Sequence, residues 1–173
     1  MNESDTLVEN TIIKEHKLND TWILYAHLPH DTDWTLNSYK EILKINTAEQ
    51  IIAICESLPE SMIQNCMLFL MRQHIKPIWE DDNNKNGGCF SYKISNKNVS
   101  DIWRKLACLV VGESLINDKM ISKLNGITIS PKKHFCIIKI WMKDCTIQNP
   151  DVINYFDGIS SQGSLFKKHI PEY

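Results

Sequence analysis

Alternating, β-branched and aromatic residues mark six segments of the chain as β-strands. These segments are residues 21–27, 39–45, 67–74, 88–95, 126–130 and 135–142. The apolar period becomes helical after a capping box formed by Thr47 and Gln50, and it ends at Pro59. Two further helices are predicted over residues 100–111 and 149–158, the second with Pro150 in its first turn.

The predicted strands come as hairpin-like neighbours, and single helices are inserted among them. This order favours an α+β fold with an antiparallel sheet and with the helices on one face, rather than a parallel sheet. Residues 1–15 are polar and lack a period, so we expect a flexible N-terminal arm there and a single domain over residues 16–173.

Composition and charge restrict the class of protein. The 173 residues are 43% hydrophobic and 23% charged, as in ordinary globular domains. The chain has no apolar run of membrane-helix length, its N-terminus is polar and acidic, and its six cysteines are scattered. We therefore expect a cytoplasmic protein with reduced, mostly buried thiols and no membrane contact. A net charge of −2 argues against a protein that coats nucleic acid, but it permits one that binds a single nucleotide.

Motifs for phosphate loops, dinucleotide folds, serine nucleophiles, zinc proteases and calcium loops are absent from the sequence. His27 and His30 with Asp31 and Asp33 have metal-ligand chemistry, but such residues in a polar loop are usually only solvated. We therefore expect no metal, no cofactor and no enzymatic activity, and we expect a binding function instead.

Two tryptophans lie in polar, turn-rich segments, Trp34 in residues 31–35 and Trp79 in residues 77–81. Such an indole either folds back over the core or forms, with a second indole, a slot for a planar ligand. Glu80 follows Trp79 directly. A carboxylate beside an aromatic slot can accept two hydrogen bonds from the N1–H and amine edge of guanine.

A basic turn follows Pro131 and consists of Lys132, Lys133 and His134. By itself the cluster is either a solvated turn or a site for phosphate groups. An aromatic slot nearby favours the second interpretation.

Residues 77–81 read Pro-Ile-Trp-Glu-Asp and residues 85–88 read Lys-Asn-Gly-Gly. These motifs resemble the signature of the translation initiation factor 4E family, the mRNA cap-binding proteins. Further landmarks of that family occur in the same order: His16, Leu18, Trp22, Trp34, Trp103, Gly112–Ser114 and Ile140–Trp141. The resemblance runs from about residue 16 to the end of the chain, and it indicates a divergent member of cellular or viral origin.

The resemblance implies a curved antiparallel sheet of about eight strands, with three helices on its convex face and a cap-binding site on its concave face. Trp34 and Trp79 stand where the family has two tryptophans that stack on 7-methylguanosine. Glu80 stands at the glutamate that binds the guanine edge, and Trp141 at a tryptophan near the N7-methyl group. Because methylation makes the base cationic, stacking between indoles distinguishes it from ordinary guanine.

The phosphate-binding positions of the family are only partly kept. Lys132 and His134 stand where the family has an arginine and usually a lysine, whereas Ile137 and Cys89 stand at positions that are usually basic. Lysine also lacks the fork with which arginine binds a phosphate through two nitrogens. The resemblance therefore implies a weaker or redistributed phosphate contact in which Lys133 takes part.

Members of the family dock helical peptides of a scaffold or repressor protein on an apolar patch of the helical face. The corresponding residues here are His16, Leu18, Ala48, Ile52, Arg104, Lys105 and Cys108. Ile52 replaces the central tryptophan of that patch, and Arg104 and Lys105 replace an apolar and an acidic residue. These changes remove a typical hot spot and reverse a charge, so we expect any protein partner to dock in a non-standard mode.

These residues predict a monomeric, non-enzymatic protein that binds capped mRNA and acts in translation initiation or its control. Two alternatives stay open. A general single-stranded nucleic-acid binder that uses Trp34 and Trp79 as platforms would show little preference for N7-methylation. An interaction or repressor protein on the same scaffold, with an altered partner surface, would show no ligand-induced quenching of tryptophan fluorescence.

Overall fold

Seven antiparallel strands form one sheet in the computed structural model, which describes residues 15–169. In chain order the strands are β1 (Lys17–His27), β2 (Tyr39–Thr47), β3 (Met67–Arg72), β4 (Gly88–Ser95), β5 (Leu124–Pro131), β6 (Phe135–Met142) and β7 (Leu165–Lys168). Across the sheet they lie in the order β2-β1-β3-β5-β6-β4-β7. The predicted α+β fold is confirmed, and the described residues form seven strands where the resemblance implies about eight. Apart from Glu15, the predicted N-terminal arm lies outside the described residues.

Three α-helices accompany the sheet: α1 (Ala48–Ser57), α2 (Glu60–Asn65) and α3 (Val99–Val111). The capping box predicted at the start of α1 is confirmed. The hydroxyl of Thr47 accepts a hydrogen bond from the Gln50 N–H at 3.3 Å, and the Gln50 side chain accepts one from the Thr47 N–H at 3.2 Å. No helix between residues 15 and 169 has both the length and the apolar character needed to cross a membrane.

The predicted helix over residues 149–158 is wrong, because only a short 3₁₀ turn forms there, at Pro150–Val152. Ile153 leaves this turn to form a β-bridge with Ile116, and both residues are buried. Packing of these isoleucines against the core overrides the helix-starting signal of proline in the first turn.

A short α-helix and a short strand were not predicted. Pro59 follows the end of α1 and stands at the N-cap of α2, which has only six residues. β7 has only four residues, and it pairs with β4 from Ser91 opposite Leu165 to Gly88 opposite Lys168. Elements of this length carry too little periodicity to be recognised locally, since they depend on pairing and packing with distant residues.

The sheet separates two apolar clusters of different size. The helices pack on one face, where the main core includes Leu68 and Leu70 of β3 together with the buried side of α3. The alternate β3 residues Phe69 and Met71 point to the other face, where they pack with Trp141 in a smaller cluster. This second face carries the cavity described below.

A buried arginine joins several elements at one end of the sheet. Arg72, at the end of β3, forms ion pairs with Asp20 of β1 at 2.5 Å and with Glu113, just after α3, at 3.1 Å. Its guanidinium also donates to the carbonyls of Ile121 at 3.0 Å and Leu124 at 2.7 Å. The buried charge is therefore both paired and hydrogen-bonded, which is the arrangement that makes its burial tolerable.

Candidate functional site

A cavity of about 670 Å³ lies on the face of the sheet opposite to the helices, a volume typical of small-ligand sites. Strand residues form its floor, and the loops that follow β1 and β3 form part of its wall. Five residues predicted from the sequence line this one cavity: Trp34, Trp79, Glu80, Lys132 and Trp141.

Trp34 lies on a short loop after β1 that polar groups hold in shape. The Asp33 carboxylate accepts hydrogen bonds from the Thr35 backbone N–H at 2.8 Å and hydroxyl at 2.9 Å, and these bonds lower the pKa of Asp33. The His27 ring stacks on the Trp34 indole with centroids 4.0 Å apart and planes 6° apart. His27 Nε2 lies 2.8 Å from the Asp33 carbonyl oxygen, so this nitrogen carries the hydrogen. One face of Trp34 is thus supported, while the residue stays 56% exposed.

Trp79 and Glu80 lie on the loop between β3 and β4, which is built around Asn84. Asn84 is fully buried, and its side-chain amide donates to the carbonyls of Lys76 at 3.0 Å and Ile78 at 2.7 Å. These bonds fix the backbone immediately before Trp79. An indole that is 50% exposed is therefore held in place without burial in the core.

The same loop is also held by hydrogen bonds within itself and by a side chain of β5. The Asp81 carboxylate accepts hydrogen bonds from the Asn83 backbone N–H at 2.8 Å and side-chain amide at 3.0 Å. Asn125 of β5 donates to the Asn83 carbonyl at 2.8 Å. Gly87 ends the loop where only a glycine fits, because a Cβ atom there would lie 1.9 Å from the Met142 carbonyl oxygen.

Glu80 is the one carboxylate that lines the cavity within residues 15–169. Burial and, secondly, the negative charge of Glu80 raise the pKa of Tyr39, which lies nearby in the wall. Tyr39 packs edge-on against His27 at 5.4 Å and against Phe69 at 5.2 Å between ring centroids. The site therefore presents a single anionic hydrogen-bond acceptor beside aromatic surfaces.

Trp141 lies in the cavity floor and is 7% exposed. Its Nε1–H donates to the Thr128 hydroxyl at 2.8 Å, so the polar edge of the indole is satisfied inside the sheet. The His169 ring lies 4.8 Å from Trp141, and its Nδ1 donates to the Asn84 carbonyl at 2.7 Å. Burial is the main cause that lowers the pKa of His169, the charge of Lys139 adds to it, and the bond to Asn84 opposes it. His169 is therefore a neutral ring at neutral pH.

Five lysines line the cavity, and we call them the cavity lysines: Lys93, Lys132, Lys139, Lys167 and Lys168. Of these five lysines, only Lys132 is predicted from the sequence to contact phosphate. A signal for Lys139 was present, because it precedes Trp141 by two residues on one strand and therefore points to the same face.

Strand pairing explains how distant lysines meet at the cavity. Lys139 of β6 pairs with Ser91 of β4, two residues from Lys93 on the same strand, and Lys167 of β7 pairs with Cys89 of β4. Burial raises the pKa of the Cys89 thiol, and the charges of Lys139 and Lys167 oppose that rise. Both ammonium groups therefore lie close enough to Cys89, in the cavity floor, to affect the pKa of its thiol.

Lys133 and His134, the other predicted phosphate contacts, are exposed in the turn between β5 and β6 and do not line the cavity. The Lys132 backbone N–H donates to the Phe135 carbonyl at 2.7 Å and closes this turn. Lys132 thus reaches the cavity while its two neighbours face solvent at its edge.

The residues predicted to contact a protein partner lie on the helical side of the sheet. His16 binds the start of α1: its Nδ1 is 2.6 Å from a Glu49 oxygen, and its carbonyl accepts the Ala48 N–H at 2.8 Å. The hydrogen bond from the His16 side chain is the main cause that lowers the pKa of Glu49 to about 2. Leu18 is partly buried against the core, whereas Ile52, one turn along α1, is 52% exposed.

The predicted partner residues of α3 contact neighbouring elements and also face solvent. Arg104 donates through Nε to the Cys55 carbonyl of α1 at 2.8 Å. The Lys105 ammonium lies 5.9 Å above the Phe156 ring, and Cys108 is exposed. The surface therefore combines basic groups, an isoleucine and a thiol, and it lacks an exposed indole.

Among residues 15–169, no group of three or more His, Cys, Asp or Glu side chains is arranged to hold a metal ion. Exposed indoles, one carboxylate and five lysines suit a ligand that is planar at one end and anionic at the other. The fold and the cavity thus define a protein with a ligand-binding site on the open face of an α+β sheet. The chain belongs to the eukaryotic initiation factor 4E family, whose family model matches residues 17–162.

Initiation factor 4E proteins of other organisms are similar to this chain over most of its length. Translation initiation factor 4E of Eremothecium gossypii is 29% identical over 135 residues, which cover 75% of this chain and 63% of that protein. An initiation factor 4E homolog of Acanthamoeba polyphaga mimivirus is 27% identical over 137 residues, covering 66% of this chain and 50% of that protein. The chain therefore matches less than two thirds of the length of these relatives.

Solved structures show the same fold. Caenorhabditis elegans eIF4E-3, in a complex with the 4E-binding protein Mextli and a cap analog, superposes with a TM-score of 0.70 at 22% identity, over 80% of this chain and 79% of that chain. A Schistosome eIF4E complexed with m7GpppG and 4E-BP superposes with a TM-score of 0.69 at 20% identity, over 76% of this chain and 74% of that chain.

Proposed function

We propose that this chain binds the 7-methylguanosine cap of mRNA, without chemical turnover, and acts in translation initiation or in its control. The observation that carries the proposal is that Trp34, Trp79, Glu80 and Trp141 line one cavity. The family resemblance assigns these residues to the cap base, and they come from three separate stretches of the chain. The place of action would be the cytoplasm, where mRNA is translated.

In the proposed complex the methylated base enters between Trp34 and Trp79. Stacking of one base on an aromatic side chain contributes about 1–3 kcal/mol. The positive charge of a 7-methylated base adds a cation–π attraction to the indole faces of about 0.5–2 kcal/mol. His27 supports the covered side of Trp34, so one wall of the slot is held in place before the ligand arrives.

In this proposal Glu80 binds the guanine edge through hydrogen bonds. Its two carboxylate oxygens accept hydrogen bonds from the N1–H and the exocyclic amine, and the Trp79 backbone N–H reaches the base oxygen. Hydrogen bonds to a charged group contribute about 1.5–3 kcal/mol each. Trp141 supplies an apolar surface for the N7-methyl group, because its polar edge is already bonded to Thr128.

The cavity lysines bind the phosphate groups in this proposal, and Lys133 and His134 meet the chain where it leaves the cavity. Lys93 and Lys139 extend the basic surface from the turn at Lys132 into the middle of the sheet. They stand in for the basic side chains that the family resemblance leads one to expect at Ile137 and Cys89. The phosphate contact is therefore redistributed rather than lost.

The solved complexes of similar proteins also support a second binding event. C. elegans eIF4E-3 was solved with the 4E-binding protein Mextli, and the Schistosome protein with 4E-BP. We propose that the helical face of this chain likewise binds a scaffold or repressor protein. Its contacts differ from those of the family, because Ile52, Arg104 and Lys105 form a more basic surface without an exposed tryptophan.

Replacement of Glu80 tests the proposed cap contact. Glu80→Ala removes an acceptor of two hydrogen bonds, so affinity for 7-methyl-GTP is expected to fall at least about tenfold, which corresponds to 1.4 kcal/mol. The measurement is retention of the full chain on immobilised 7-methyl-GTP, followed by competition with the free nucleotide.

Asp82→Ala is the matched control, because Asp82 is an exposed carboxylate of the same loop that does not line the cavity. This control is expected to bind like the wild type, and circular dichroism checks that both variants are folded. Full retention of a folded Glu80→Ala variant would contradict the assignment of Glu80.

A further inference from the structure

Two cysteines on the helical side of the sheet lie at the same level of the contact between α1 and α3. Cys55 is on α1 and is half-buried, and Cys108 is on α3 and is exposed. Each thiol shifts the pKa of the other across the contact between the two helices. Three of the six cysteines are buried and two are partly exposed, so the expectation of mostly buried thiols holds for half of them, and Cys108 is exposed.

The backbone around the two thiols is fixed by contacts between the helices. Arg104 donates through Nε to the Cys55 carbonyl at 2.8 Å, and the Cys55 sulfur lies 3.8 Å from the Arg104 carbonyl oxygen. These bonds hold the two helices in register at this level. Because Cys108 follows Arg104 by one helical turn, this contact places the Cys55 sulfur beside Cys108, as a disulfide between α1 and α3 requires.

The two thiols differ in acidity in a way that assigns a role to each. The interaction with the Cys55 thiol lowers the pKa of Cys108 to about 7. The same interaction, together with burial, raises the pKa of Cys55. An exposed thiol with a large thiolate fraction beside a second thiol is the arrangement of peroxide-sensitive cysteines.

We propose that Cys108 is an oxidisable thiol and that Cys55 is its resolving partner, so that the two form a reversible disulfide between α3 and α1 when the protein meets a peroxide. The Cys108 thiolate attacks one peroxide oxygen, the O–O bond breaks, and the leaving hydroxide takes up a proton to become water. The Cys55 sulfur, losing its proton, then displaces hydroxide from the Cys108 sulfenic acid. Two thiols and one hydrogen peroxide thus give one disulfide and two waters.

The disulfide would act on the surface that faces a protein partner. Cys55 lies one turn from Ile52, and Cys108 lies one turn from Arg104 and Lys105. A covalent bond there fixes α1 against α3 in the middle of this surface, whereas the cavity on the opposite face of the sheet is unaffected. Oxidation is therefore a means of changing partner docking while ligand binding continues.

The full chain treated with hydrogen peroxide, with excess peroxide then removed, tests the proposal by mass spectrometry. We expect a loss of two hydrogen atoms and a disulfide between tryptic peptides 45–72 and 106–119, both restored by a thiol reductant. Because peptide 45–72 also contains Cys66, fragmentation of the linked pair identifies the cysteine involved.

Three variants separate the two roles. Cys108→Ser should abolish the linked peptides, and Cys55→Ser should accumulate the Cys108 sulfenic acid, which dimedone traps. Cys145→Ser is the control, since Cys145 is a partly exposed thiol whose sulfur is 3.3 Å from the Gly87 carbonyl oxygen, and it should oxidise like the wild type.

Peroxide treatment that links other cysteines, or that leaves Cys108 unmodified in the folded wild-type chain, would overturn the proposal. Dimedone labelling confined to residues other than Cys108 in the Cys55→Ser variant would overturn the assignment of roles. Binding of 7-methyl-GTP is measured in parallel and is expected to be the same before and after oxidation, so this test does not depend on the proposed function.

Discussion

Trp34 and Trp79 keep 56% and 50% of their surface exposed, and both lie on loops that polar side chains hold in place. Their unusual position could be predicted from the sequence, because a large indole among Asp, Thr and Pro residues gains little from local packing. The residues that support them, His27 and Asn84, could not be predicted. Stacking of His27 and the buried amide bonds of Asn84 exist only in the folded loops.

At the scale of single residues, we expect Trp79→Ala to weaken binding of 7-methyl-GTP. Loss of one stacking platform costs about 1–3 kcal/mol, which is roughly 5- to 150-fold in affinity. Isothermal titration of the full chain measures the change. Tyr155→Ala removes an aromatic residue that is 75% exposed outside the cavity, and it should bind normally. Equal affinities of the two variants would exclude Trp79 from the site.

At the scale of elements, alternation predicted six of the seven strands within a few residues, and the capping box predicted the start of α1. The short elements α2 and β7 were missed because four to six residues carry no clear period. The missed strand matters for the site, since β7 brings Lys167 beside β4. Candidate residues in late or short strands depend on a register that only the folded sheet reveals.

The pairing of β6 with β4 leads to a prediction about how binding of 7-methyl-GTP depends on the salt concentration. Lys139→Gln removes a positive charge from the cavity floor, so binding of 7-methyl-GTP should weaken and its dependence on salt should become shallower. Affinity measured at several sodium chloride concentrations provides the slope. Lys44→Gln, an exposed lysine of β2 outside the cavity, is the control and should keep the wild-type slope. An unchanged slope for Lys139→Gln would show that this lysine does not contact phosphate.

At the scale of the whole molecule, the fold class follows from the order of strands and helices, whereas the buried ion pairs do not follow from any local pattern. Arg72 binds Asp20, Glu113 and two carbonyls that are distant in the sequence. Among the charged residues of the described range 15–169, nothing local marks Arg72 as the one that is buried. Its partners become apparent only when β1, β3 and the end of α3 meet.

Arg72→Ala should destabilise the whole domain, because it leaves the Asp20 and Glu113 carboxylates without their buried partner. Breaking a buried ion pair in this way costs about 3–5 kcal/mol of the free energy of unfolding. Urea denaturation followed by circular dichroism measures the loss. Lys85→Ala breaks the exposed Lys85–Asp82 pair and should leave the midpoint nearly unchanged. Similar midpoints for the two variants would refute a structural role for Arg72.

The central claim is that the cavity prefers the 7-methylated base, and a fluorescence titration of the full chain tests it most directly. Because Trp34 and Trp79 are exposed at the cavity, a stacked base should quench their emission. We predict saturable quenching by 7-methyl-GTP, with an affinity at least about tenfold higher than that of GTP under the same conditions. Equal quenching by the two nucleotides would indicate a general nucleic-acid binder, and no quenching by either would contradict cap binding altogether.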